Sequence, residues 1–201
     1  YLLSAIEAAT EDSSRFRWAE WNPGVFTPFV SPDMQASLME RFERPDRSDG
    51  AQTVLTGLSQ AIDHLGGEPP LLAPLEAVVR DVSFNPRLRR VALSALVKLA
   101  GVTDPSVGRV LEDVASGTLE DRNDELLGTL LELCYPHAIR ASDVVKYLHE
   151  PKDPNLIGVY AMFWFRGLAE ATPSLQIGAA LDAFALVDAK LRERLAKRIS
   201  M

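Results

Sequence analysis

The chain of 201 residues contains one cysteine, Cys134, so no disulfide can form within it, and the composition fits a reducing compartment. It also lacks any run of the roughly 18–20 uncharged apolar residues that a membrane helix needs. The most apolar stretch, Leu156 to Phe165, is about half that length and stops at Arg166. The opening Tyr1-Leu2-Leu3-Ser4-Ala5-Ile6 meets Glu7 before a signal-peptide core can build. With no initiator methionine, this start reads as an internal piece of a longer cytoplasmic polypeptide. Positive charge is scarce: 21 Lys and Arg face 28 Asp and Glu, a net charge of −7 that works against gripping a phosphate backbone.

The motifs of common chemistries are missing as well. No serine sits in a nucleophile elbow, and Gly66-Gly67 has neither the following lysine nor the preceding strand of a phosphate loop. The three histidines, His64, His137 and His149, lie far apart on different elements. Only His137 has a nearby ligand type, Cys134, and Pro136 breaks the helix between them, whereas a zinc site needs three or four converging side chains. Leu130, Leu131 and Leu133 surround Cys134 in sequence, which favours a buried structural thiol over a nucleophile polarised by His137. The acid pairs Glu112-Asp113 and Glu120-Asp121 read as solvated charges between helices. The expectation is a chain without catalytic residues, cofactor or metal, and hence not an enzyme.

What is present is a repeat of about 34 residues in the apolar pattern. Leu58, Ala92, Leu126 and Tyr160 form one series, and Ile62, Leu96, Leu130 and Trp164 a second. Leu65, Leu99 and Leu133 form a third, which Gly167 breaks. A period of this length marks helix pairs that bury their apolar faces only against the next pair.

The helices can be read off directly. Glu11 to Trp21 carries a weak apolar stripe, and Ser31-Pro32 opens a helix through Phe42. Glu43 to Gly50 mixes acids with Arg44 and Arg47 and reads as a solvated loop. Val54, Leu55, Leu58, Ile62 and Leu65 then share a face that ends at Gly66-Gly67. Leu71, Leu72, Leu75, Val78, Val79 and Val82 repeat the spacing. A third repeat helix starts at Asn85-Pro86, where Leu93 and Val97 supply a second apolar face, so it should be covered on both sides. Asp104-Pro105 opens a fourth, Asp121 to Cys134 is a fifth, and Ser142 caps a short sixth. Leu156 to Ala169 is apolar nearly all round and should be deeply buried. Thr172-Pro173 starts a further helix to about Val187, and Leu191, Leu195 and Ile199 line a last one. No alternation of strand period competes, so the fold class is all-α.

Candidate partner-binding residues are of two kinds. Trp18 and Trp21, three apart, suit either an exposed anchor for a partner or a cap on the end of the core. Arg87, Arg89 and Arg90 open the third repeat helix, and five basic residues between Lys190 and Arg198 mark the last one. These can be polar helix faces and favourable C-terminal cations, or contacts to an anionic partner.

The stretch Asn85-Pro86-Arg87-Leu88-Arg89-Arg90-Val91-Ala92-Leu93-Ser94-Ala95-Leu96 resembles a HEAT repeat. A second pattern runs from Asp124-Glu125-Leu126-Leu127-Gly128 through Tyr135-Pro136, Val144 and Tyr147-Leu148. It continues with Asn155-Leu156-Ile157-Gly158-Val159-Tyr160 and Phe163-Trp164. This is similar to the helical-repeat region that follows the nucleotide-binding domain in large bacterial NACHT-type (STAND-class) ATPases. The resemblance covers residues 50 to 170 and carries no phosphate-binding lysine or magnesium-binding acid onto this chain. The first 50 residues do not follow the repeat and the last two helices follow it loosely; with the 34-residue period, the expectation is a right-handed α-solenoid of about four HEAT-like helix pairs over residues 51–201, after an irregular helical segment over residues 1–50. The resemblance itself implies a non-catalytic interaction or sensor scaffold, partnered by another protein or by other domains of the same polypeptide. The competing reading is a HEAT-like nucleic-acid-binding protein or repair glycosylase using the arginines at 87–90. A purely structural spacer is the third.

Overall fold

The computed structural model describes residues 23–31, 35–43, 46–153 and 157–185. Among these residues all regular structure is helical, with no strand, and no helix is long and apolar enough to cross a membrane. The chain divides into two compact units, Tyr1–Val107 and Gly108–Met201. The division falls inside a helix, and within the first unit the segment at 23–43 packs onto the helices that follow it.

The first unit begins with a 3-10 segment, Pro23–Val30, followed by α1 (Gln35–Glu43) and α2 (Asp49–Leu65). A 3-10 turn at Pro69–Leu71 leads into α3 (Leu72–Arg80), and α4 (Pro86–Ala100) comes next. The helix α2 starts earlier than its apolar stripe suggests. The Ser48 hydroxyl accepts the Ala51 N–H at 3.3 Å, and Asp46 accepts the Ser48 N–H at 3.0 Å, so the supposed loop already nucleates the helix. At the other end Gly66, at φ 82°, turns the chain out while its N–H still reaches the Ile62 carbonyl. Nearly every side of α2 is covered, polar Thr56 and Ser59 included. The Thr56 hydroxyl is satisfied by the Gln52 carbonyl one turn earlier, at 2.7 Å.

The helix α4 follows its sequence reading closely. Asn85 accepts the Leu88 N–H at 2.8 Å, Pro86 fills the first turn, and Gly101 closes the helix at φ 90°. Leu88, Ala92 and Leu96 are buried, and so are Leu93 and Val97 on the second face. Leu65 and Val82, expected on apolar faces, are more than half exposed, since each lies at or past the end of its helix, beyond the neighbour's reach.

The division between the units falls in α5 (Pro105–Ala115), whose Val107, Val110, Leu111 and Val114 are buried as their spacing predicts. The second unit continues with α6 (Glu125–Cys134) and a 3-10 turn at Val144–Tyr147. Then α7 (Val159–Met162) runs through a π turn at Phe163–Gly167 into α8 (Leu168–Ala171). A 3-10 turn at Ser174–Gln176 precedes α9 (Ile177–Ala185). The sixth helix expected after Ser142 is only this single 3-10 turn, preceded by Asp143, which makes no side-chain cap bond. The core of the unit is aromatic: Tyr135 meets Phe163, and Trp164 meets both Tyr160 and Phe184, all edge-on at 5.8–6.3 Å between centroids.

The stretch expected to be buried all round is not. Tyr160, Phe163 and Trp164 are buried, but Ile157, Met162 and Phe165 are 77, 46 and 43% exposed. An apolar run shows that a helix can be covered on several sides, not that neighbours exist to cover them. The first two apolar series are buried at every position, from Leu58 to Tyr160 and from Ile62 to Trp164. The third is exposed at Leu65 and only half-buried at Leu99 and Leu133.

Two glycines set how closely the elements approach. A Cβ on Gly57 would lie 2.1 Å from the Phe26 ring, and one on Gly128 would lie 2.3 Å from the Tyr160 backbone nitrogen. Backbone cannot yield as a side-chain tip can, so Gly128→Ala should lower stability by about 1–3 kcal/mol or more, with Gly57→Ala comparable. Gly108, within α5 and with open space around its missing Cβ, is the control. Gly108→Ala should raise stability by about 0.5–1 kcal/mol. Urea denaturation midpoints of the three variants check all three signs.

Candidate interaction groove

The first unit carries a groove of about 410 Å³ beside α3. Its floor is the outer face of that helix: Ala73 and Ala77, one turn apart and exposed, over the buried Pro74 and Val78. Short side chains at i and i+4 leave the helix surface low enough for a visitor to approach it. Phe42 and Glu43, at the end of α1, and Arg47, Asp81 and Phe84 complete the lining.

Arg47 organises this rim. Its guanidinium lies 4.3 Å above the Phe84 ring centroid, its Nε donates to the Ser83 hydroxyl at 2.8 Å, and its Nη2 pairs with the Asp81 carboxylate. Asp81 also accepts the Ser83 hydroxyl at 2.6 Å and the Ser83 N–H at 2.9 Å. The Ser83 hydroxyl, then its N–H, and the Arg47 charge hold the Asp81 carboxyl below the usual carboxylate range. Arg47 was expected in a solvated loop. Nothing in its own neighbourhood of sequence signals a partner 34 residues away.

The arginines at 87–90 do not form one outward stripe. Arg89 is buried, and its Nε donates to the Val79 carbonyl at 2.8 Å, fixing the end of α3 against α4. Three arginines within four positions of one helix cannot all face the same way, and Arg89 is the one that turns inward. Arg87 and Arg90 are half-buried at the start of the same helix. Trp18 and Trp21, and the basic stretch from Lys190 to Arg198, lie outside the described residues.

The second unit holds a polar cluster that the sequence hides. Asp121 and Asp124, expected to be solvated or helical, are buried ahead of α6. Asp121 accepts the Leu127 N–H at 2.9 Å and so caps the helix it was assigned to. Asp124 adopts φ 58°, a left-handed conformation that Asp tolerates better than most residues. One of its oxygens accepts the Lys152 N–H at 2.7 Å, and the other lies 3.0 Å from Lys152 Nζ and 3.6 Å from His149 Nε2. Lys152 Nζ also donates to the Asp121 carbonyl at 2.5 Å. The His149 ring stacks on Tyr160 at 4.9 Å. The Tyr160 hydroxyl accepts the His149 N–H at 2.7 Å and faces the His149 carbonyl at 3.0 Å, while burial pushes the phenol up to about 12. The charged groups are turned on one another, which is the chemistry of an anchor tying residues 149–152 to the start of α6.

Cys134 is buried, and desolvation pushes its thiol up to about 11, consistent with an inert structural role. Among the described residues no three His, Cys, Asp or Glu side chains are arranged to hold a metal ion.

Burial raises the Asp121 carboxyl above its ordinary 3.8, against the opposing pull of the Leu127 and Leu126 N–H groups and Lys152. The folded state therefore binds this proton more tightly than the unfolded chain. Its contribution to stability is greatest below pH 3.8 and is lost as pH rises through the folded value. Asp121→Asn should abolish that part of the slope in denaturation midpoints taken from pH 3 to 7. Asp121→Ala, which bares the Leu127 N–H, should cost about 1–2 kcal/mol. A second measurement concerns the thiol. Cys134 in the native chain should react with a disulfide reagent at pH 8 at least about a hundredfold more slowly than in urea-unfolded chain, where its value is near 8.5.

Comparison of the chain with protein-family models, with curated proteins and with solved structures finds no match.

Proposed function

We propose that this chain is a non-catalytic interaction or sensor module, built as HEAT-like helix pairs in a right-handed solenoid and belonging to a larger bacterial signalling or defence ATPase. The observation that carries the interaction part is the groove on the first unit. Ala73 and Ala77, one turn apart on α3, are exposed in it, and the Arg47 contacts tie its polar rim together. A preformed apolar cleft with a few fixed polar groups is the usual form of a binding site. The two buried apolar series, at a spacing of about 34 residues, support the helix-pair reading. The ATPase context rests on the sequence resemblance over residues 50 to 170.

The test places a photo-crosslinking phenylalanine analogue at Ala77 in the cell that makes the protein, with the same analogue at exposed Glu112 as control. The expected result is a discrete protein adduct from position 77 that is absent from position 112 and suppressed by Ala73→Trp. No adduct, or identical adducts from both positions, would overturn the interaction reading. The longer reading frame around the chain tests the context, where a phosphate-loop ATPase domain is the expected neighbour.

A further inference from the structure

We infer that His149 makes the polar anchor of the second unit a proton-responsive clasp: a proton on its ring ties residues 149–152 to the start of α6, and loss of that proton loosens them.

The ring's own bonds fix where its hydrogen sits. His149 Nδ1 lies 2.7 Å from the Glu150 carbonyl oxygen. A carbonyl only accepts, so Nδ1 carries the hydrogen, and in the neutral imidazole Nε2 has a lone pair and nothing to donate. Nε2 lies 3.6 Å from Asp124 Oδ1. Neutral His149 therefore sets an acceptor beside a carboxylate oxygen, and the two cannot bond. A proton on Nε2 turns the same approach into a charged donor facing a carboxylate. Stacking on Tyr160 at 4.9 Å holds the ring in place for it.

The oxygen it faces is short of a donor. Asp124 is 1% exposed, and its Oδ1 accepts no hydrogen bond from the described residues. The Lys152 ammonium stands 3.0 Å away, but its hydrogen bond goes to the Asp121 carbonyl at 2.5 Å. A buried carboxylate oxygen left without a donor is costly, so a proton offered at Nε2 stabilises the folded chain. Charge points the same way. Among the described residues of the clasp, two buried acids, Asp121 and Asp124, share one lysine, Lys152. Tyr160, which faces the ring from α7, stays an uncharged phenol because it is buried. Glu150, next in the chain, is exposed and meets the ring through its carbonyl. Protonated His149 is the second cation. Its side chain is 42% exposed, so it exchanges protons with solvent while the acid it faces is sealed. The stabilisation is fully present below the ordinary histidine value of about 6.5 and is lost as pH rises above it.

Urea denaturation of the intact 201-residue chain from pH 8 to pH 5 tests the clasp, with His149→Phe as the variant. Phenylalanine keeps a ring to stack on Tyr160 and removes Nε2, and the titration of Asp121 is common to both chains. The expected result is a stability gap between native and variant that widens as pH falls, by about threefold to tenfold in the unfolding equilibrium constant. Replacing exposed His137 by phenylalanine should leave the native profile unchanged. In an Asp124→Asn background the His149→Phe gap should no longer widen. A local readout accompanies these. The Lys152 N–H is bonded to Asp124 at 2.7 Å, and its hydrogen-exchange protection in the native chain, corrected for the intrinsic rate, should rise as pH falls. A gap that stays constant or narrows would overturn the clasp, and one that still widens with Asp124→Asn would overturn Asp124 as the partner. If His149→Phe does not fold, Lys152 protection decides alone: a flat profile from pH 8 to pH 5 overturns the inference.

Discussion

One amide, that of Gln52, holds the first unit in register. Its Nε2 donates to the Arg47 carbonyl at 2.9 Å, and its Oε1 accepts both the Asn85 N–H at 2.8 Å and the Asn85 side-chain amide at 2.9 Å. Asn85 in turn caps α4, so a single nearly buried side chain fixes the start of α2 to the start of α4. The same bond positions the backbone of Arg47, and its guanidinium then reaches Asp81, Ser83 and Phe84 to build the groove's rim. A buried amide with an unmade bond would cost more than the bond contributes when made, which is why such a group specifies one register over its neighbours.

Apolar packing alone would not achieve this. Leucine and valine faces attract without strong directional preference, and two helices could slide by a turn at modest cost. Both units answer that weakness with polar ties at the helix ends. In the first, Asp63 on α2 accepts the Ser94 hydroxyl at 2.6 Å and Lys98 Nζ at 2.8 Å, both from α4. In the second, Glu125 accepts the Val159 N–H at 3.3 Å, and Lys152 is clasped by Asp121 and Asp124. The glycines serve the same end by a different route. Gly57 admits the Phe26 ring and Gly128 admits the backbone at Tyr160, each a contact that only one register allows.

The sequence made much of the helical scaffold legible. Gly66 and Gly101 stop their helices as their chemistry demands, and Asn85-Pro86 starts α4 as a cap and first-turn pair should. The double apolar face of α4 predicted burial on both sides, and both sides are buried. Less was legible of the groove and the polar anchor. Arg47 and Asp81, or Asp124 and Lys152, are unremarkable charged residues in their own neighbourhoods, and their meaning arises from a partner about 30 residues away. A local pattern carries no trace of such a pairing, so Glu120-Asp121 looked solvated although Asp121 is buried.

The sequence by itself determined the all-helical class of the described residues, most helix ends, and the two apolar series that the cores bury. Backbone stereochemistry and periodicity act within a few residues, so they can be read without the fold. Tertiary structure alone decided which charges are buried, which arginine turns inward, and which apolar side chains of the π-turned helix stay exposed. Burial is a property of what lies opposite a residue, and that is set by packing between elements distant in sequence.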